Sequence, residues 1–247
     1  MTTKKLTPQA LSIIDQYLHF KVGSGECSVP YFNNKTIKRR AALRSVSGKG
    51  SPHEILEEVQ SIFIKDHVNL ASVTNESLKK VLTDSNIGID CSAFAYYILD
   101  AESVALGRES IKKGIYFNSA VGLIGKIRCA LRPIENCDVS TFAHDKNSTK
   151  IGLKNVQPGD FITMTNGPEG GERNHILVVH QVDENKIYYS HAVAYPEDGV
   201  YGTGIKQGAI EITKPNESLT DQIWTENILF IRAQKSQIEL RRLNIMC

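Results

Sequence analysis

The spacing of apolar residues changes along this chain. In the first hundred positions they recur every three or four residues, the period of a helix with one buried face. Leu11, Ile14, Tyr17 and Leu18 follow this rule behind Thr7-Pro8, a cap with proline at the first helical position, and Gly23 and Gly25 end the segment. A short basic helix is expected from Lys35 to about Val46, with Ile37, Ala41 and Ala42 on its inner side. Ser51-Pro52-His53-Glu54 is a capping box opening a helix that carries Ile55, Leu56, Val59, Ile62 and Phe63. One more helix is expected over Glu76–Leu82. From Cys91, the residues Phe94, Ala95, Ile98, Ala101 and Ala105 form a single stripe that ends near Gly107. Residues 108–155 lose the period and read as a long loop with one short helix.

Beyond Pro158-Gly159 the pattern becomes that of strands. Phe161–Met164, His175–Val182, Ile187–Ala194, Gly208–Thr213 and Ile228–Ala233 are short, β-branched or apolar runs separated by turn residues, with a flexible loop at Asn166–Gly171. The last dozen residues are polar and helical in character, a surface helix or tail. Helices followed by strands predict an α+β architecture. The chain then divides into a helical region at 1–84, a mixed domain at 85–235 and a tail at 236–247.

Composition narrows the function classes. The 247 residues are 41% hydrophobic and 23% charged, with a net charge of +2, values ordinary for a globular protein. The first fifty residues are locally basic: Lys4, Lys5, Lys21, Lys35, Lys38, Arg39, Arg40, Arg44 and Lys49 face only Asp15 and Glu26. No aromatic platforms interleave with them, so nucleic acid is not an expected partner and a solvated helix face is the simpler reading. The five cysteines are odd in number and lack a CxxC pair, which suits a reducing compartment. Cys129, Cys137 and His144 do not have zinc-site spacing, and Gly48-Lys49-Gly50 lacks the strand and Ser/Thr of a phosphate loop. No metal or cofactor is expected. The N-terminus lacks a secretory apolar core, and no run is long enough to span a membrane, so a cytoplasmic location is expected.

Cys91 is the residue placed for chemistry. A helix start carries partial positive charge that favours a thiolate, and it leaves backbone N–H groups for an oxyanion. A nucleophilic cysteine also needs a base and a group that orients the base. Of the seven histidines, His175, His180 and His191 fall on predicted strands. Strand alternation puts His175 with Leu177 and Val179, and His180 on the other face with Ile176 and Val178. His191, on the next strand of the apparent hairpin, can lie beside His175. With the helix on the His175 face, Cys91, His175 and His191 form nucleophile, base and orienting partner. Against this stands the common fate of a helical cysteine, that of a small buried hydrophobe.

Asp90-Cys91-Ser92-Ala93-Phe94 resembles the Asp-Cys-Ser-Gly-Phe signature of the NlpC family of papain-fold cysteine peptidases, with Ala93 in place of the glycine. Pro158-Gly159-Asp160-Phe161, His175-Ile176-Leu177-Val178-Val179 and Tyr189-Ser190-His191-Ala192 are similar to later family segments in the same order, and Ile228–Ala233 resembles the closing strand. The resemblance covers residues 85–234. It implies a papain-like fold, a catalytic helix packed on an antiparallel sheet behind a helical N-terminal extension. It implies amide hydrolysis through a Cys91-His175-His191 triad and a thioester, with peptide or muropeptide substrates. It also implies that Asp90 and Ser92 help hold a substrate amine. An acyltransferase or deamidase using the same thiol, or a weakly active binding module on that scaffold, are the alternatives.

Overall fold

A computed structural model describes residues 3–33, 43–118, 120–166 and 174–247. Most of the expected basic helix at 35–46 and of the loop at 166–171 lies outside the described residues. The fold is α+β, built on an antiparallel sheet.

The helical part begins with a two-residue strand β1 (Lys4–Lys5) and helix α1 (Pro8–Leu18). Thr7 caps α1, and its backbone N–H and hydroxyl both donate to Glu102 Oε2, at 2.8 and 2.6 Å. That carboxylate ties α1 to the helix that begins at Cys91. Two short strands, β2 (Phe20–Val22) and β3 (Gly25–Cys27), form a hairpin where only a helix end was expected. Three residues are too few to show a period. Helices α2 (Pro52–Lys65) and α3 (Asn75–Asp84) follow, with the Ser51/Glu54 capping box formed as expected.

Helix α4 (Cys91–Ala105) is the central one. Most of its residues are buried, because α1 packs on one side and the sheet on the other. Tyr17 of α1 meets Phe94 edge to face, with ring centroids 5.5 Å apart, and donates its hydroxyl to Gly50 O at 2.8 Å. The sheet runs β4 (Ser148–Lys150), β10 (Gln237–Leu243), β5 (Phe161–Thr165), β6 (His175–Val182), β7 (Lys186–Val193), β8 (Gly204–Glu211), β9 (Ile223–Trp224), and β1 pairs with the far end of β6. Phe161, Ile176, Val178, Ala192 and Ile205 share a buried cluster with α1 and α4. Ile162, Leu177, Val179, Tyr189, Ile210 and Leu229 form a second cluster on the opposite face.

Three expectations fail here. Residues 108–155 hold helices α5 (Ile111–Gly114), α6 (Gly122–Leu131), α7 (Pro133–Asn136) and α8 (Val139–Ala143), as well as β4. Three of these are five residues or fewer, below the length at which periodicity is visible. Ile228–Ala233 is not a strand but part of helix α9 (Asn227–Gln234), which buries Leu229 and Ala233, four residues apart. A continuous apolar run does not distinguish helix from strand. The closing strand is instead Gln237–Leu243, expected as a polar helix or tail. Its charges are paired: Arg241 with Asp145 and Glu239, and Arg242 in a two-pronged contact with buried Asp160 at 2.7 and 3.0 Å. Ion pairing removes the solvent requirement that its composition suggested.

Candidate active site

The start of α4 is built around two acidic and basic groups that are hidden from water. Asp90 is the cap, with Oδ1 accepting from Ala93 N at 2.7 Å and from Ser92 Oγ at 2.8 Å. Lys49 Nζ lies 2.9 Å from Asp90 Oδ2, and donates to Ser92 Oγ at 2.8 Å and Cys137 O at 2.9 Å. These contacts use all three ammonium protons. Burial works against the Lys49 charge, yet the Asp90 carboxylate outweighs it and raises the ammonium's pKa. Gly48 makes the placement possible. Its φ of 75° is left-handed, and a Cβ there would strike the Phe32 carbonyl, while its own carbonyl accepts from Asp90 N at 2.8 Å. Asp90 and Ser92 are 7% and 4% exposed, so the amine they meet here is the chain's own Lys49.

Cys91 is 5% exposed. Its Sγ donates to Asn174 O at 3.9 Å and lies against the N–H of Ile176, so the thiol straddles the backbone on both sides of His175. The β6–β7 ladder runs from Val182↔Ile187 to Val178↔Ser190, and the thiol sits by the β6 arm that continues beyond it. The helix start does not favour a thiolate. Burial, reinforced by the Asp90 carboxylate, pushes the Cys91 thiol up to about 11, while Lys49 and Arg232 pull it down. The desolvation cost of a buried thiolate exceeds what the helix terminus returns.

The face is also different from that expected. Helix α4 packs with Ile176 and Val178, whereas alternation sets His175 with Leu177 and Val179. Thiol and imidazole therefore approach the start of β6 from opposite sides. His175 Nε2 meets His191 Nδ1 at 2.8 Å, and His191 Nε2 meets Glu226 Oε2 at 3.0 Å. Tyr195 donates its hydroxyl to Glu226 Oε1 at 3.0 Å. Burial, then the charges of Arg232 and His191, hold His175 well below 6.5. Burial alone would raise Glu226, but the hydrogen bond from His191 leads the groups that lower it. A carboxylate only accepts, so His191 Nε2 donates to it. With one proton on each ring, His191 Nδ1 accepts from His175 Nε2–H, and His175 Nδ1 becomes the basic nitrogen. His180 is separate, paired with Ser190 Oγ at 2.9 Å, and burial with nearby Lys5 lowers it to about 4.

A cleft of about 370 Å³ opens on His175, with walls from Tyr31, Val193–Pro196 and the α9 residues Ile228, Ile231 and Arg232. Cys91 is not in its wall. The helix at 227–234 explains this lining, since Ile228, Ile231 and Arg232 fall on one of its sides. Glu226, Lys49, Tyr195 and Arg232 were not anticipated. Glu226 occupies the cap position of α9 without capping it, because His191 and Tyr195 take its oxygens. A lone glutamate before an apolar run gives no sign of such a role.

Gly208 faces Tyr189 across the β7–β8 ladder, and a Cβ there would collide with the Tyr189 hydroxyl and lie 2.7 Å from Glu226 Oε2. Gly208→Ala is expected to destabilise the fold by about 1–3 kcal/mol through overpacking. Urea unfolding midpoints measure this, and an unchanged midpoint would show that Tyr189 and Glu226 shift freely.

Among the described residues, no group of three or more His, Cys, Asp or Glu side chains is placed to hold a metal ion, and no helix is long and apolar enough to cross a membrane. Comparison with protein-family models, curated proteins and solved structures gives no match, so the site's geometry, not kinship, carries any reading of this chain.

Proposed function

We propose that this protein is a thiol amidase or peptidase of papain-like build, with Cys91 as nucleophile and a helical region ahead of the catalytic domain. The observation that carries this reading is the buried chain Glu226–His191–His175, which ends beside the backbone against which the Cys91 thiol rests. Such a chain fixes one tautomer and leaves His175 Nδ1 basic. Purely structural histidines do not require a carboxylate-terminated relay.

The thiol rests neutral and points at Asn174 O. Reaction requires the start of β6 to shift so that the thiol, which now rests on the other side of that strand, meets His175 Nδ1 and transfers its proton there as sulfur bonds to the amide carbon. The N–H of Cys91, at the first position of α4, has no acceptor within the helix and can meet the oxyanion. The C–N bond then breaks, and His175 returns the proton to the leaving amine. A water then gives a proton to His175 as its oxygen bonds to the thioester carbon, the C–S bond breaks to release the carboxylic acid, and His175 returns the proton to the Cys91 sulfur. Arg232 and Lys235 line the cleft together with Tyr31 and Tyr195, which suits peptides bearing carboxylates, such as muropeptides.

Digestion of a peptide and muropeptide panel tests the reading. New amine ends should appear with the wild type and not with Cys91→Ala, and a thioester adduct should be seen by intact mass. Transfer of the acyl group to an added amine in preference to water would assign acyl transfer instead. No product and no adduct with any member of the panel would overturn the proposal. The resting state adds a pH signature. A thiol held up to about 11 should be alkylated by iodoacetamide about tenfold faster per pH unit from 8 to 10, while exposed Cys247 reacts first at neutral pH.

A further inference from the structure

Helix α6 presents the wrong residues to water for a surface helix. Leu123, Ile124 and Leu131 are 75%, 84% and 72% exposed, and Ile127 is exposed as well. At about 100° per residue they occupy an arc of roughly 100°. Cys129, the residue that α6 buries, lies on the opposite side, so the apolar stripe points directly away from the protein. Val121, just before the helix, is exposed too. Isolated exposed aliphatic residues are unremarkable, but a contiguous stripe of this kind marks a surface that is covered in use.

The charges identify the cover. Lys126 falls on one side of the stripe, and Arg128 and Arg132 on the other. Lys112 and Lys113 precede them, and the sequence holds no Asp or Glu between Glu109 and Glu135. An apolar stripe bordered on both sides by cations, with no acid for twenty-five positions, is the pattern of a helix that lies in the interface of an anionic bilayer. The aliphatic side chains enter the acyl boundary and the cations stay at the headgroups. Lys113 pairs with Glu109 at 3.6 Å, but a second copy of the chain would still place Lys126, Arg128 and Arg132 against themselves, with no acid in Val121–Arg132 to neutralise them.

The geometry points to a peripheral membrane-docking face made by Val121–Arg132, whose partner is an anionic lipid surface. Docking leaves the fold intact, since the stripe contributes nothing to the core. Leu131 is also only six residues from Cys137, whose carbonyl is held by Lys49 beside the start of α4, so the docked helix leads directly into the candidate active site.

Co-sedimentation of the full chain with vesicles tests this. Partitioning should be at least tenfold stronger onto vesicles containing roughly one-third phosphatidylglycerol than onto phosphatidylcholine alone, and should weaken as salt screens the cations. Ile124→Asp with Ile127→Asp should reduce it tenfold or more while the unfolding midpoint stays unchanged. Lys126→Glu with Arg128→Glu should abolish the preference for anionic vesicles. Failure to bind either vesicle, or equal binding by the Ile124→Asp, Ile127→Asp variant, overturns the proposal. So does a dimer in gel filtration that this variant dissociates, which would assign the face to a second copy.

Discussion

His175→Ala is expected to lower amide turnover about a thousandfold, within the range of roughly 10² to 10⁴ typical for loss of a general base. The loss should fall on kcat and leave KM little changed, because the imidazole acts by moving a proton in the transition state. The resting thiol makes the base indispensable. With Cys91 pushed up to about 11, few molecules carry a thiolate at neutral pH, and the proton must leave during attack. The direction of the His175 shift sets the pH profile. Its conjugate acid is held well below 6.5, so the ring is unprotonated and competent at neutral pH, and activity is lost only as pH falls through that lowered value. An acid limb at or above pH 6.5 would contradict the assignment. Glu226→Gln supplies the intermediate case. Its amide can still contact His191 Nε2 but no longer dictates which ring nitrogen bears the proton, so a loss between wild type and His175→Ala is expected.

The parts of this arrangement legible in the sequence are those that local rules govern. Thr7-Pro8, the Ser51/Glu54 box and the apolar stripe that opens at Cys91 are short-range signals, and α1, α2 and α4 begin where those signals stand. The pairing of His175 with His191 follows from alternation on adjacent strands. The face of the sheet that carries α4 does not, because alternation separates two sides without saying which one a helix covers. Ile176 and Val178 serve a helical cover as well as Leu177 and Val179 would. Glu226 and Lys49 were illegible for a related reason. Each is a single charged residue in a short connecting segment, and its meaning lies in a partner 35 or 41 positions away. The ion pairs that let Arg241 and Arg242 enter a strand are likewise nonlocal, reaching back 96 and 82 positions. The thiol's charge state is not legible for the same reason: the helix terminus is a local feature, whereas desolvation is a property of the assembled core.

Lys49→Met should be the most destabilising single substitution near the site, costing about 3–5 kcal/mol, since it leaves the Asp90 carboxylate buried with its counter-charge gone. Methionine roughly fills the lysine stem's volume, so the loss is electrostatic and not that of a cavity. Asp90 would keep its hydrogen bonds from Ala93 N and Ser92 Oγ, but these do not neutralise a charge. The double variant Lys49→Met, Asp90→Asn separates the two contributions. Asparagine still offers an oxygen to Ala93 N, so the helix cap survives and the charge does not. Its expected cost is about 1–2 kcal/mol, from the hydrogen bonds left unmade to Ser92 and Cys137 O. The double variant should therefore unfold at a higher urea concentration than Lys49→Met alone, with the same slope. If both variants unfold together, the ammonium stabilises the fold through its contact with Cys137 O and not by neutralising Asp90. The thiol reports independently. Lys49 is one of the two cations that pull the Cys91 pKa down, so in Lys49→Met the alkylation profile should move to higher pH, and Asp90→Asn in the double variant should move it back.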